Sequence, residues 1–285
     1  MNSIRSEWPL LVFTTCAPLC VGAWIVAASL VLSGMAPGSA VLTTGAYGGF
    51  LGALLLASLV CSTLHLGKPT KALRAFMRLG NSTVSNEVFV GALFTTALMF
   101  YVAVSHSLAN AVEILGTLLV LVTAFAILFV VFQCLAYRMR TVPTWNSFAF
   151  SVDFAVIALL GGVCLEGVLA CLAFPVSLHV RTALVVIEAA CCMAVVFVVY
   201  AQGTTVTRST WAGGGTSSWA KQWSTLGTAR ILTTLAGSIL WGFGMLASQP
   251  SMPAIIVGAT IVVAGIVVGR YAFYRFYVNV GLPRS

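Results

Sequence analysis

Charge is what this sequence has least of. Of its 285 residues only 7% are Asp, Glu, Lys or Arg, while 60% are hydrophobic and the mean hydropathy is +1.05. Soluble proteins are about a quarter charged, so this sequence cannot cover a water-facing globule. Histidine is nearly absent too, with only His65, His106 and His179. A transmembrane relay of bis-histidine haems needs paired histidines inside facing spans, so haem is excluded. The eight cysteines form no C-x-x-C pair and no iron–sulfur spacing. All of them fall within apolar runs, where free Cys behaves as a small hydrophobe, so no iron–sulfur cluster is expected in this protein. Gly213-Gly214-Gly215 lacks a following G-K-[ST], which excludes a phosphate loop.

What remains is a series of apolar runs long enough to cross a bilayer, each needing roughly 20 residues. The pattern predicts a single integral membrane domain over residues 1–285. Its fold is all-α, a bundle of eight transmembrane helices over roughly 10–32, 42–66, 87–107, 114–136, 149–173, 182–202, 229–248 and 254–277. The run from Leu10 exceeds a signal-peptide core of about 7–15 residues and reads as a retained first span. Pro18 is the clearest mid-span break, and residues 204–228 read as a polar, mobile loop. Gly45, Gly48, Gly49 and Gly52, with Gly265 and Gly269, show the small-xxx-small spacing that lets helices pack closely. Trp8 and Trp145 are expected at membrane borders.

The net charge of +8 would suggest nucleic acid in a soluble protein. Here the cations sit in short connections between spans, where they report topology, so nucleic acid is not an expected partner and membrane lipid is. With an even number of spans both ends share one side. Thirteen of the fourteen Lys and Arg lie on that side and only Arg181 on the other. Positive residues stay preferentially in the cytoplasm, which predicts N-in and C-in.

The most polar early stretch runs from His65 to Glu87 and holds Lys68, Lys71, Arg74 and Arg78. Two readings of its ends stand. His65 at the end of span two is a cation favoured by the helix dipole, and Glu87, behind an N-cap at Ser85, is an acid favoured in a first turn. Alternatively the pair forms one site at a membrane border. Histidine accepts a proton near neutrality, so His65 and Glu87 suit a quinol head group. Lys71 and Arg74 would then offset negative charge there, or contact lipid phosphates. Deeper in the membrane lie Asp153, Glu166, Glu188 and Arg270. Ionisable residues at depth are functional candidates, and Asp153, Glu166 and Glu188 form a candidate proton path, with structural hydrogen bonds as the alternative.

Five fragments then fall into order: Glu7-Trp8-Pro9-Leu10; His65-Leu66-Gly67-Lys68-Pro69; Ser85-Asn86-Glu87; Thr141-Val142-Pro143-Thr144-Trp145; and Gly269-Arg270 followed by Phe273-Tyr274. With them the sequence resembles the membrane anchor subunit of bacterial dimethyl sulfoxide reductases. The resemblance implies an inner-membrane complex of three parts: this anchor, an iron–sulfur electron-transfer subunit and a molybdopterin catalytic subunit. It implies that the anchor binds and oxidises menaquinol in anaerobic respiration, with His65 and Glu87 in the quinol site. One departure is Asn86, where several relatives carry arginine; a cation for Glu87 would then come from Lys71 or Arg74. The competing reading is a proton-coupled secondary transporter, which commonly shows two similar halves; no persuasive half-to-half repeat is found.

Overall fold

The computed structural model describes residues 7–35, 45–64, 79–107, 112–139, 141–173, 175–212 and 217–277. Among them are eight helices: α1 Trp8–Leu32, α2 Gly45–Leu64, α3 Thr83–Ser107, α4 Val112–Ala136, α5 Phe148–Ala173, α6 Leu178–Ala212, α7 Ser217–Leu246 and α8 Met252–Arg275. All eight are long and apolar enough to cross a membrane. The protein is a polytopic all-α membrane protein. Crossing eight times brings the end of α8 back to the side where α1 starts, called the terminal side below.

Local chemistry sets several helix ends. Pro9 opens α1 and Pro253 opens α8, where a missing N–H costs nothing. The Ser147 hydroxyl accepts the Phe150 N–H at 3.4 Å, and Ser177 accepts that of Val180 at the same distance, starting α5 and α6. At α3 the cap is Ser82, whose hydroxyl accepts the Ser85 N–H at 3.4 Å. The helix thus starts earlier than expected, and Ser85 is a buried residue within it. Pro18 does not break α1, which runs unbroken through it; membrane helices tolerate proline where neighbours and local adjustment satisfy the freed carbonyl.

α1 is the central helix, packed against α2, α4, α5 and α8. Its closest approach is to α5. A Cβ on Gly22 would fall on the Ala158 carbonyl, and one on Gly162 would fall on the Gly22 backbone. Elsewhere the spaced glycines also serve packing within the bundle. Gly48 and Gly52 face Val102 and Met99 of α3, and Gly265 faces Thr233 and Thr234 of α7, whereas nothing packs on Gly49 among the described residues.

The largest departure from expectation lies at α6 and α7. Residues 204–228, expected as a loop, are helical except over 213–216, which lie outside the described residues. A run without lipid-facing apolar residues reads as a loop, but a helix that has left the bilayer needs no such face. Trp145 also differs. It is buried in a second hydrophobic core at the terminal side, with Val142, Phe150, Phe154, Val206, Trp223, Phe273 and Phe276. Trp8, at the start of α1, is half exposed.

Candidate functional site

His65, Lys71 and Arg74 lie outside the described residues. The other end of their stretch is described. Glu87 sits on α3, one turn in from Thr83, only 2% exposed. Gln133 of α4 faces it, yet Glu87 Oε1 and both amide atoms of Gln133 complete no hydrogen bond among the described residues. A buried polar atom without a partner is costly, and in a native fold it calls for an explanation. Asn86, where several relatives have arginine, spends its side chain on the local backbone. Its Oδ1 accepts the N–H of Gly80 at 2.8 Å, holding the turn whose glycine has φ +80°.

Beside Glu87 are hydroxyls. Tyr137, just past the end of α4, lies within electrostatic reach of Glu87, Tyr274 and Arg270. The Tyr274 hydroxyl is 3.3 Å from that of Thr14 on α1. Tyr137 stacks on Phe154 with ring centroids 4.8 Å apart, and the Arg270 guanidinium lies 3.8 Å from the centroid of the same ring. This places a cation and a tyrosine against one aromatic residue of α5, where desolvated cation–π contact is strongest.

Arg270 leads to the second group. Its Nη2 donates to Asp153 Oδ2 at 2.9 Å, while Arg230 Nη2 donates to Oδ1 at 2.5 Å and Arg230 Nη1 to Oδ2 at 3.3 Å. All three residues are buried. Gln202 of α6 stands beside the same carboxylate. Gly269 makes the arrangement fit, because a Cβ there would lie 2.7 Å from Arg230 Cζ. One carboxylate faces two guanidiniums, and Arg270 Nε and Nη1 have no hydrogen-bond partner among the described residues. The triad by itself is therefore net positive and buried, and charge at such depth is costly and by default functional.

Glu87, Gln133, Tyr137, Asp153, Gln202, Arg230, Arg270 and Tyr274 thus come from the terminal-side ends of the bundle and form one polar layer there. The acids nearer the other side are separate. Glu166 accepts a short hydrogen bond from the Tyr47 hydroxyl. Glu188 accepts from Cys192 Sγ at 3.3 Å, and that thiol is 2.7 Å from the Ser238 hydroxyl. Asp153, Glu166 and Glu188 therefore stand in three distinct bonding groups. Arg181, the cation expected alone on the far side, donates to the carbonyls of Met245 and Ala247 at 2.5 and 2.8 Å. It caps the C-terminus of α7, where a cation meets the negative end of the helix dipole.

The sequence singles out Glu87, Asp153 and Arg270, and Tyr274 within a motif, but not Gln133, Tyr137 or Gln202; Arg230, at the start of the expected span 229–248, counts only as a terminal-side cation. The available signal was faint: Gln133, a neutral polar residue near the end of an apolar run.

A bundle of eight helices, all long and apolar enough to cross a membrane, with a layer of buried polar groups at the terminal side, fits a membrane anchor. The protein belongs to the DMSO reductase anchor subunit family (DmsC), which matches residues 1–276. It is 27% identical over 287 residues to the anaerobic dimethyl sulfoxide reductase chain YnfH of Escherichia coli, covering 97% of this sequence and 96% of that one. It is 27% identical over 286 residues to the C subunit of the anaerobic dimethyl sulfoxide reductase of the same organism, covering 99% of both. To the C subunit of the Haemophilus influenzae anaerobic dimethyl sulfoxide reductase it is 34% identical over 167 residues, covering 58% of this sequence and 59% of the relative. As an anchor subunit it implies catalytic and electron-transfer partner subunits.

Proposed function

We propose that this protein oxidises menaquinol at the terminal-side polar layer and delivers the electrons to an iron–sulfur partner, which feeds a molybdopterin catalytic subunit in anaerobic respiration. The observation that carries this reading is Glu87, a buried carboxylate with one oxygen unpartnered among the described residues, facing Gln133 and near Tyr137. Oxidising a quinol releases two electrons and two protons. His65 and Glu87 each take one of the protons, and the electrons pass to the partner's nearest cluster. A general base must lie within hydrogen-bond reach of the proton that it removes, and an unpaired carboxylate oxygen offers that acceptor. The cation expected from Lys71 or Arg74 has a further source in Arg270, whose open donors offset negative charge developing on the head group. The excess of basic residues supports a terminal side that faces the cytoplasm of a bacterial inner membrane, N-in and C-in.

The test uses purified complex. His65→Ala is expected to abolish quinol-driven reduction by the catalytic subunit while reduction by an artificial donor to that subunit persists. Unchanged quinol-driven turnover overturns the site. Solute uptake by the anchor alone in liposomes would instead support a proton-coupled transporter.

A further inference from the structure

α6 has 35 residues and α7 has 30, so at 1.5 Å per residue they span about 52 and 45 Å. The hydrocarbon core they cross is about 30 Å thick. The excess is not shared between the two sides, and the surface shows where it falls. The outward face of α6 is apolar through Phe197 and Tyr200, 69% and 76% exposed. Beyond these, the exposed residues among those described are Thr204, Thr207 and Arg208. On α7 the exposed residues are Lys221, Gln222, Ser224, Thr225 and Thr228, and the apolar face resumes at Leu232, 61% exposed. The bilayer border therefore crosses the pair near Tyr200 and Leu232. From Tyr200 to Ala212 is 12 residues, so the pair projects about 18 Å past that border on the terminal side.

This projection is fixed at its base. Val206 and Trp223 are buried in the terminal-side core. Trp223 packs edge-on against Phe150 of α5 and Phe276 at 5.9 and 5.3 Å, and Trp219 packs on Phe276 at 5.7 Å. An extended helical pair anchored by tryptophans, whose exposed residues among those described are polar or charged, is built to meet something in water.

We propose that the projecting ends of α6 and α7 are the docking post for the electron-transfer subunit, gripping an acidic surface on it through Arg208 and Lys221. The proposal rests on the reading above that such a subunit receives the electrons. Charge argues for an acidic partner, since no Asp or Glu occurs anywhere after Glu188. Height argues for a protein over lipid headgroups. The headgroup layer adds only about 5–8 Å per leaflet, whereas Arg208 stands eight residues past Tyr200, about 12 Å beyond the border. The post also rises from Arg230 at the polar layer, so the partner would sit directly over the quinol site.

The test compares wild-type complex with Arg208→Glu/Lys221→Glu, and places a photo-crosslinking amino acid at Thr204, Gln222 or Thr225 in the native complex. The charge reversal is expected to lower co-purification of the iron–sulfur subunit at least tenfold and to make the remainder salt-labile, while the variant anchor still binds a quinol-analogue inhibitor. Crosslinks from Gln222 and Thr225 should reach the iron–sulfur subunit. Full retention of that subunit by the variant, or crosslinks to lipid alone, overturns the docking post and leaves the quinol reading standing. A wild-type anchor that recovers no iron–sulfur subunit overturns both.

Discussion

Asp153 on α5 and Arg230 on α7 are joined by two hydrogen bonds, at 2.5 and 3.3 Å, and the carboxylate accepts a third from Arg270 of α8. The acid thus ties three helices and shields two buried cations from each other. Asp153→Asn removes the carboxylate that both guanidiniums contact and leaves them buried without an ion-pair partner among the described residues. Breaking a buried ion pair by removing one partner costs about 3–5 kcal/mol. The variant is expected to unfold at markedly lower temperature in detergent. Adding Arg230→Met should restore part of the loss; an unchanged melting temperature for the single variant would show that the triad does not hold the helices.

Glu87 makes the opposite trade. Its carboxylate has an unpartnered oxygen among the described residues, so Glu87→Gln exchanges a costly buried group for a neutral one of the same shape. Stability is expected to hold or rise. Quinol-driven turnover should fall by about 10²–10⁴-fold, the range lost with a positioned acid or base, while artificial-donor activity is kept. Steady-state assays with both donors, beside a thermal melt, separate a chemical role from a structural one. Equal loss with both donors would assign Glu87 to assembly.

The contact between α1 and α5 leaves no room for a methyl group. A Cβ on Gly162 would meet the backbone of Gly22 and Ala23, and backbone cannot rotate away. Overpacking costs typically 1–3 kcal/mol, and Gly162→Ala is expected at or above the upper end because the colliding atoms have no rotamer to yield. Because α1 is the central helix, separating this pair disturbs the whole bundle. The check is the yield of monodisperse protein in mild detergent. Gly49→Ala, where nothing among the described residues packs within 4 Å, should behave as wild type.

How far the molecule is legible in its sequence follows from the physics of each residue. Spans are legible because lipid demands an unbroken apolar surface, and all eight expected spans have a helix. Asp153, Glu87 and Arg270 stand out because charge in an apolar run is expensive. Gln133, Tyr137 and Gln202 do not, because a neutral polar side chain disturbs hydropathy little and only its neighbours reveal its use. Arg230 reads as a border cation because the expected span begins beside it at 229; the helix in fact starts at Ser217 and buries Arg230 along its length. The same effect hides the projecting ends of α6 and α7. Trp145 reads as a border residue from its position, although its burial depends on α8, more than a hundred residues away.

On the far side, Tyr47 donates to Glu166, which leaves only Glu166 Oε1 unpartnered among the described residues. Tyr47→Phe strands both carboxylate oxygens, and leaving a buried acceptor unsatisfied costs about 1–3 kcal/mol, more for a charged group. A lower melting temperature is expected. Quinol-driven turnover at the terminal side should stay within about twofold if the pair is structural. A large loss of turnover in Glu166→Gln, with stability intact, would instead place Glu166 on a proton path.

Trp145 lies flat on Phe273, with centroids 4.4 Å apart, and its Nε1 donates to the Phe273 carbonyl at 3.0 Å. Two of the recognised motifs, Thr141–Trp145 and Gly269–Tyr274, are therefore one physical contact. Phe273 also meets Phe150, which in turn meets Trp223 of α7, so the contact braces the base of the projecting helices. Trp145→Phe keeps a stacked ring and removes the donor, leaving a buried carbonyl short of a partner at a cost of about 1–3 kcal/mol. The loss should be local. Limited proteolysis is expected to cut faster between α6 and α7, while the global melt moves by less than in Asp153→Asn. Equal proteolysis of variant and wild type would mean that the projecting helices hold themselves upright without this aromatic base.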